Sequence, residues 1–255
     1  MRPRALLVGL VLVTIALVLV AAGCGGSGGG GSADEPATES DGLSQNTPGE
    51  GDELAPTAEG TGDDVDPVVA AERAELLAGI PQQDRVLGDA GAPVTLIAYE
   101  DFLCTFCGRF SKEMLPGVLD EYVRPGNVKI EYRPVAFYGE VSRQGALAAL
   151  AAGQQNRLWD YVETTFGQQA DATDYLTPEF LERTADDVGL DVPRWEAARR
   201  APATADEFDE LQLTAELDGV GGTPTFVVEG PGGQQAIPGL PAPEALDELL
   251  TAAQG

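Results

Sequence analysis

Residues 94–99 form an apolar, β-branched run that follows the turn-rich segment 88–93 and stops just short of two cysteines, Cys104 and Cys107. Beyond them Phe110, Met114, Leu115, Val118, Leu119 and Tyr122 recur at helical spacing across 109–123, with Pro116 as an expected kink and residues 124–127 as the stop. A strand therefore hands over to a helix at the cysteine pair. Residues 128–132 alternate apolar with charged side chains, which predicts a second strand and a right-handed β-α-β unit with parallel pairing.

The pattern then turns helical over residues 142–218. An Ala-rich stretch runs through Trp159 and Phe166. Thr177, Pro178 and Glu179 open a helix as cap, N1 proline and acidic first turn, Gly189 closes it, and further helices are expected around 193–200 and 203–217. Residues 226–228 and 235–237 flank the Gly230-Pro231-Gly232-Gly233 turn as a hairpin, and 243–253 supplies an amphipathic helix with Leu246, Leu249 and Leu250 inward. The order is β-α-β, helices, then β-β-α. It predicts an α/β fold with a mixed central sheet, helices on both faces and a helical insertion at about 142–218 between the two halves.

Residues 68–255 are long enough for one domain with a real core. Upstream, residues 1–23 join Arg2 and Arg4 to an apolar run, the composition of an export signal. Ala21, Ala22 and Gly23 before Cys24 resemble the lipobox at which bacterial lipoproteins are cleaved and lipidated, although Ala21 departs from the usual Leu. An uncleaved transmembrane helix is the alternative, because the run is close to the roughly 20 residues that cross a bilayer. Both readings put the rest of the chain on the extracytoplasmic face of the cell membrane. Residues 24–67 are Gly, Ser, Thr, Pro, Asp and Glu with almost no large apolar side chain, which predicts a disordered, self-repelling acidic tether.

A net charge of −27 with two lysines, Lys112 and Lys129, argues against nucleic-acid binding. Absence of His and a single Cys pair in the folded part remove most ways of building a metal site, so no metal and no cofactor are expected. At the start of a helix, Cys104 faces unpaired backbone N–H groups, which favours its thiolate, while Cys107, one turn on, closes the intramolecular disulfide. Competing readings are half a zinc site, which lacks partners, two ordinary buried thiols, and a structural disulfide, whose tiny loop would constrain the unfolded chain little. Spacing and position favour redox chemistry.

The stretch from Asp101 to Cys107, followed at this distance by Gly222, Thr223, Pro224, Thr225 and Phe226, resembles the DsbA-like branch of the thioredoxin superfamily. The resemblance runs over about 86–250 and includes Trp159 and residues 188–191. It implies a thioredoxin-like fold in which Pro224 is cis and lies against the redox pair. Thr223 would offer its backbone to a substrate peptide, and Thr105 and Phe106 would complete the substrate-binding surface. Recognition through main-chain hydrogen bonds implies a broad substrate range.

The function implied is an extracytoplasmic thiol-disulfide oxidoreductase that exchanges its disulfide with cysteines of exported proteins and is reset by a membrane redox partner; export context favours net oxidation. The alternatives are a disulfide reductase and a redox-inert binding or chaperone module. Two departures stand out. Where the family commonly keeps a buried acid, six residues before the first cysteine, this chain has Ala98. Glu100 and Asp101 are the nearest substitutes as proton carriers, with an exposed, solvating role as the alternative for both. No His lies between the cysteines, so thiolate stabilisation rests on the helix end.

Overall fold

The computed structural model describes residues 66–169 and 175–255; the leader, Cys24 and the tether as far as residue 65 lie outside the described residues. Helix α1 (Pro67–Leu77) opens where Asp66 accepts the Val68 N–H at 2.9 Å and Pro67 occupies a first-turn position that needs no donor. Two short strands follow, β1 (Gln82–Gln83) and β2 (Val86–Leu87), which the sequence pattern is too brief to announce. Next come β3 (Val94–Glu100) and, after the helix that begins at the cysteine pair, β4 (Val128–Pro134). The hairpin β5 (Thr225–Gly230) and β6 (Gly233–Pro238) completes a six-stranded sheet of order β1-β2-β4-β3-β5-β6.

The expected parallel pair is β3 with β4, registered from Val94 opposite Val128 to Glu100 opposite Pro134, while β5 lies antiparallel on the other side of β3. Side chains of β3 alternate between two cores. Val94, Leu96 and Ala98 join the larger one, and Ile97 and Tyr99 join a smaller one closed by Val135, Ala215, Val220 and Val227. Helices therefore cover both faces.

The helix after the cysteines starts earlier than residue 109 and is built differently from a simple proline kink. Its first segment, α2 (Thr105–Arg109), runs into a π-helical turn (Phe110–Met114), the short α3 (Leu115–Val118) and a second π-helical turn (Leu119–Val123). Pro116 cannot donate to the i→i−4 ladder, and wider turns on either side of it absorb the mismatch without ending the helix.

The insertion contains α4 (Glu140–Gly153), α5 (Leu158–Gly167), α6 (Pro178–Asp187), α7 (Val192–Arg199) and α8 (Pro202–Leu217), and α9 (Pro243–Ala253) closes the chain. The Ala-rich stretch is thus two helices, divided at residues 154–157, where Asn156 takes a left-handed conformation at φ 55°. Trp159 is fully buried at the head of α5, stacks edge-on against Tyr132 and donates its indole N–H to the Arg85 carbonyl at 3.1 Å. The aromatic contact ties the insertion to the sheet beneath the cysteines.

Candidate active site

The C-terminal end of β3 delivers the chain into the loop that carries the cysteines. Cys104 is the N-cap of α2, and its sulfur accepts the Cys107 backbone N–H at 3.3 Å, as the position at a helix start requires. Across the site the Thr223–Pro224 peptide bond is cis, and the Cys104 thiol donates to the Thr223 carbonyl oxygen at 3.2 Å. Both thiols are free; Cys104 is 2% exposed and Cys107 fully buried. Thr105 and Phe106 are exposed beside them, and the Arg109 guanidinium sits 5.9 Å from the centre of the Phe106 ring. The residues singled out from the sequence as a redox pair and a substrate surface thus converge on one edge of the domain.

Their electrostatics differ in sign. The Cys104 thiol is lowered to about 6, chiefly by the hydrogen bond from the Cys107 side chain and, against the cost of burial, by the Thr223 side chain and the N–H groups of Cys107 and Phe106. Burial drives Cys107 the other way, well above an ordinary thiol, and Cys104 and Glu100 add to the rise. Alkylation of the reduced full chain with iodoacetamide should follow a titration with its midpoint near pH 6 rather than the roughly 8.5 of a free cysteine, and the adduct should map to Cys104. A midpoint at 8 or above, or an adduct on Cys107, would contradict the assignment.

The two acids at the end of β3 are both buried, at 3% exposure for Glu100 and 1% for Asp101, so the exposed, solvating role open to them in the sequence is excluded. They do different things. Asp101 accepts from the Leu103 N–H at 2.9 Å, the Phe137 N–H at 2.8 Å and the Ser142 hydroxyl at 2.8 Å, and so staples the cysteine loop to the start of α4. With its oxygens occupied by donors, Asp101 is a poor proton carrier. Glu100 has an oxygen, Oε1, that is buried without a hydrogen-bond partner. Burial, then the charges of Glu163 and Cys104, push its carboxyl well above the usual range. Its side chain leaves β3 on the same face as Ala98, two residues further along.

Further side chains that the sequence reading passed over hold the loop. Tyr175 donates to the Phe102 carbonyl at 2.7 Å, and the Gln169 amide donates to the Phe102 and Cys104 carbonyls at 2.6 and 3.0 Å. Glu163, buried on α5, was passed over as well; it accepts the Ser111 hydroxyl at 2.8 Å, and it carried a readable signal: it lies four residues after Trp159 and three before Phe166, on the face that the aromatics mark as core. Among the described residues no three His, Cys, Asp or Glu side chains are grouped to hold a metal ion. No helix among the described residues is long and apolar enough to cross a membrane.

The family described as thioredoxin matches residues 81–250. Disulfide bond formation protein D of Bacillus subtilis is 32% identical over 99 residues, 38% of this chain and 45% of that protein. An Na(+)/H(+) antiporter, NhaA 3 of Salinispora tropica, is 34% identical over 156 residues, 59% of this chain and 22% of that protein. The chain thus spans less than half the length of these curated relatives. Among solved structures, oxidised BdbD from Bacillus subtilis superposes with a TM-score of 0.61 at 23% identity, covering 69% of this chain and 98% of that one. A thioredoxin-like oxidoreductase from Silicibacter pomeroyi gives 0.57 at 28% identity, covering 71% and 97%.

Proposed function

Because the chain belongs to the thioredoxin family, in its DsbA-like branch, we propose that it is a thiol-disulfide oxidoreductase that forms disulfides in exported proteins. The observation that carries the reading is the opposed tuning of the two sulfurs: Cys104 is lowered to about 6 at the helix start, and Cys107 is raised in the interior. A disulfide between them has one good leaving or attacking group at the substrate-facing end and one sulfur that is returned to the neutral thiol inside.

In the forward direction a substrate thiolate attacks the Cys104 sulfur of the oxidised pair. A mixed disulfide forms, the Cys104–Cys107 bond breaks, and its electron pair leaves on Cys107, which takes a proton from the Glu100 carboxyl. The substrate's second thiolate then attacks its own sulfur in the mixed disulfide and releases Cys104 as the thiolate. The substrate has lost two electrons and the pair has gained them. A membrane redox partner accepts those electrons through its own disulfide, and the Cys107 proton goes back to Glu100. Thr223 and Pro224 hold the substrate backbone beside Cys104, and the exposed Thr105 and Phe106 receive its side chains. Attachment to the extracytoplasmic face through lipidated Cys24 belongs to the same proposal and rests on the leader sequence alone.

Equilibration of the full chain in graded glutathione buffers, with free thiols counted by mass after alkylation, tests the direction. A lowered Cys104 stabilises the reduced form, so the expected transition is a two-electron one at roughly −180 mV or above, the range of oxidising folding catalysts. A value near about −270 mV would make the protein a reductase, and absence of a reversible Cys104–Cys107 disulfide would leave a binding module.

A further inference from the structure

Gly108 lies buried inside α2, directly after the cysteine pair, at a position where alanine would be the better helix former. The space that its missing side chain leaves is taken by Gln169, which follows the end of α5. A Cβ at Gly108 would meet Gln169 Oε1 at 1.9 Å and Cδ at 2.8 Å, so no side chain can share that space with the amide. From this seat the amide nitrogen reaches the carbonyl oxygens of Phe102 and Cys104 at 2.6 and 3.0 Å, on either side of Leu103. Carbonyls only accept, which fixes the orientation of the amide. Residue 169 is itself anchored from two directions. Lys112, one helical turn beyond Gly108, donates to its carbonyl at 3.3 Å, and the neighbouring Gln168 exchanges hydrogen bonds with the Asp66 backbone at 2.7 and 3.2 Å.

We propose that Gln169, admitted by the bare backbone of Gly108, is a positioning residue for thiol exchange: its amide fixes the peptide groups around Cys104 so that the sulfur stays in line with the N–H groups of the helix start. The inference deepens the oxidoreductase reading given above and rests on it. The Cys104 sulfur accepts the Cys107 N–H at 3.3 Å, a contact that depends on alignment and that a small rotation of residue 104 would break. The Cys104 carbonyl closes the first turn, accepting from the N–H groups of Cys107 at 3.1 Å and Gly108 at 3.2 Å. Gln169 adds a donor from outside the helix to that same oxygen. Without it the preceding loop is still held, by Tyr175 on the Phe102 carbonyl at 2.7 Å and by Asp101 on the Leu103 N–H at 2.9 Å. What is released is the peptide that follows Cys104, so the loss falls on the sulfur rather than on the fold. The ionisable groups that bear on the Cys104 charge are Cys107 on the same helix, Glu100 at the end of β3 and Tyr138 between β4 and α4. Gln169 is uncharged, and replacing it changes geometry without changing charge.

The test applies the alkylation titration and the glutathione equilibrium to the full chain carrying Gln169→Ala, Gly108→Ala or both. In Gln169→Ala the Cys104 alkylation midpoint rises by about one unit, and at pH 8 the glutathione equilibrium moves about tenfold against the reduced pair, because a thiolate that is held less well makes the disulfide harder to reduce. Gly108→Ala gives the same two shifts: its methyl group expels the amide, although the substitution by itself favours the helix. The double variant shows the shift of one change rather than the sum, since no amide is left to expel, whereas independent residues would add. Wild-type values in folded Gln169→Ala, or additive shifts in the double variant, overturn the proposal. A lowered urea midpoint with an unmoved titration does so as well, since that is all a merely structural side chain would give. A wild type that forms no reversible Cys104–Cys107 disulfide would instead remove the oxidoreductase reading on which it stands.

Discussion

Cys104→Ser is expected to reduce oxidation of a dithiol peptide by the full chain at least ~10³-fold, to the background of uncatalysed exchange. A serine hydroxyl neither forms the disulfide nor ionises in the working range, so no geometric feature of the site can compensate. Cys107→Ser should behave differently, because Cys104 keeps its N-cap position and its backbone donor from residue 107. That variant is expected to collect mixed disulfides on Cys104, seen as a mass added by glutathione or peptide and removed by dithiothreitol. The two results together separate a redox pair from a structural one. Activity in Cys104→Ser within tenfold of the wild type, or no adduct on Cys107→Ser, would leave the fold a binding module.

Glu100→Gln carries the next largest expected effect. An amide cannot give up a proton to the departing Cys107 sulfur, and loss of a positioned acid should slow single-turnover oxidation about 10²-fold at neutral pH, toward the lower end of general acid catalysis. Stability should move in the opposite sense. The Glu100 carboxyl is raised on folding, so the native state binds more protons than the unfolded one above about pH 4.3, and wild-type stability falls as pH rises from there through the raised value. Gln removes that loss. Urea midpoints of the two proteins should therefore converge at pH 4 and separate at pH 8 in favour of Glu100→Gln. Equal exchange rates would assign proton transfer to water and leave Glu100 as an unexplained buried acid.

Much of this arrangement was legible in the sequence because the signals were periodic or stereochemical. The apolar, β-branched run 94–99 identified one strand by its composition and the alternating 128–132 a second by its two-residue period, and they pair in parallel. Thr177 caps α6 through its hydroxyl at 3.1 Å from the Phe180 N–H, and α9 spans the interval that its leucines mark. The π-helical turns around Pro116 were not legible, since proline announces a disturbance without saying whether the ladder breaks or widens. Strands β1 and β2 are too short to show a period. At the site, the cysteines could be named from local pattern and the Thr223–Pro224 segment from the family resemblance. The separate fates of Glu100 and Asp101 could not, because they depend on donors from residues 103, 137 and 142 that reach one carboxylate and miss its neighbour.

The shared face of Ala98 and Glu100 bears on how such proteins are compared. In a column-by-column alignment the family's acid position reads as alanine here, and the acid proposed as proton donor would be scored as lost. A pleated strand returns to the same side every second residue, a rise of roughly 6.6 Å, so a carboxyl can leave one column and reappear in the next but one while still pointing into the same interior. Positional homology then fails where spatial homology persists. For chains of this kind the informative unit is the strand face, and an acid counted anywhere along it, with a cysteine pair at its end, is the feature to inherit.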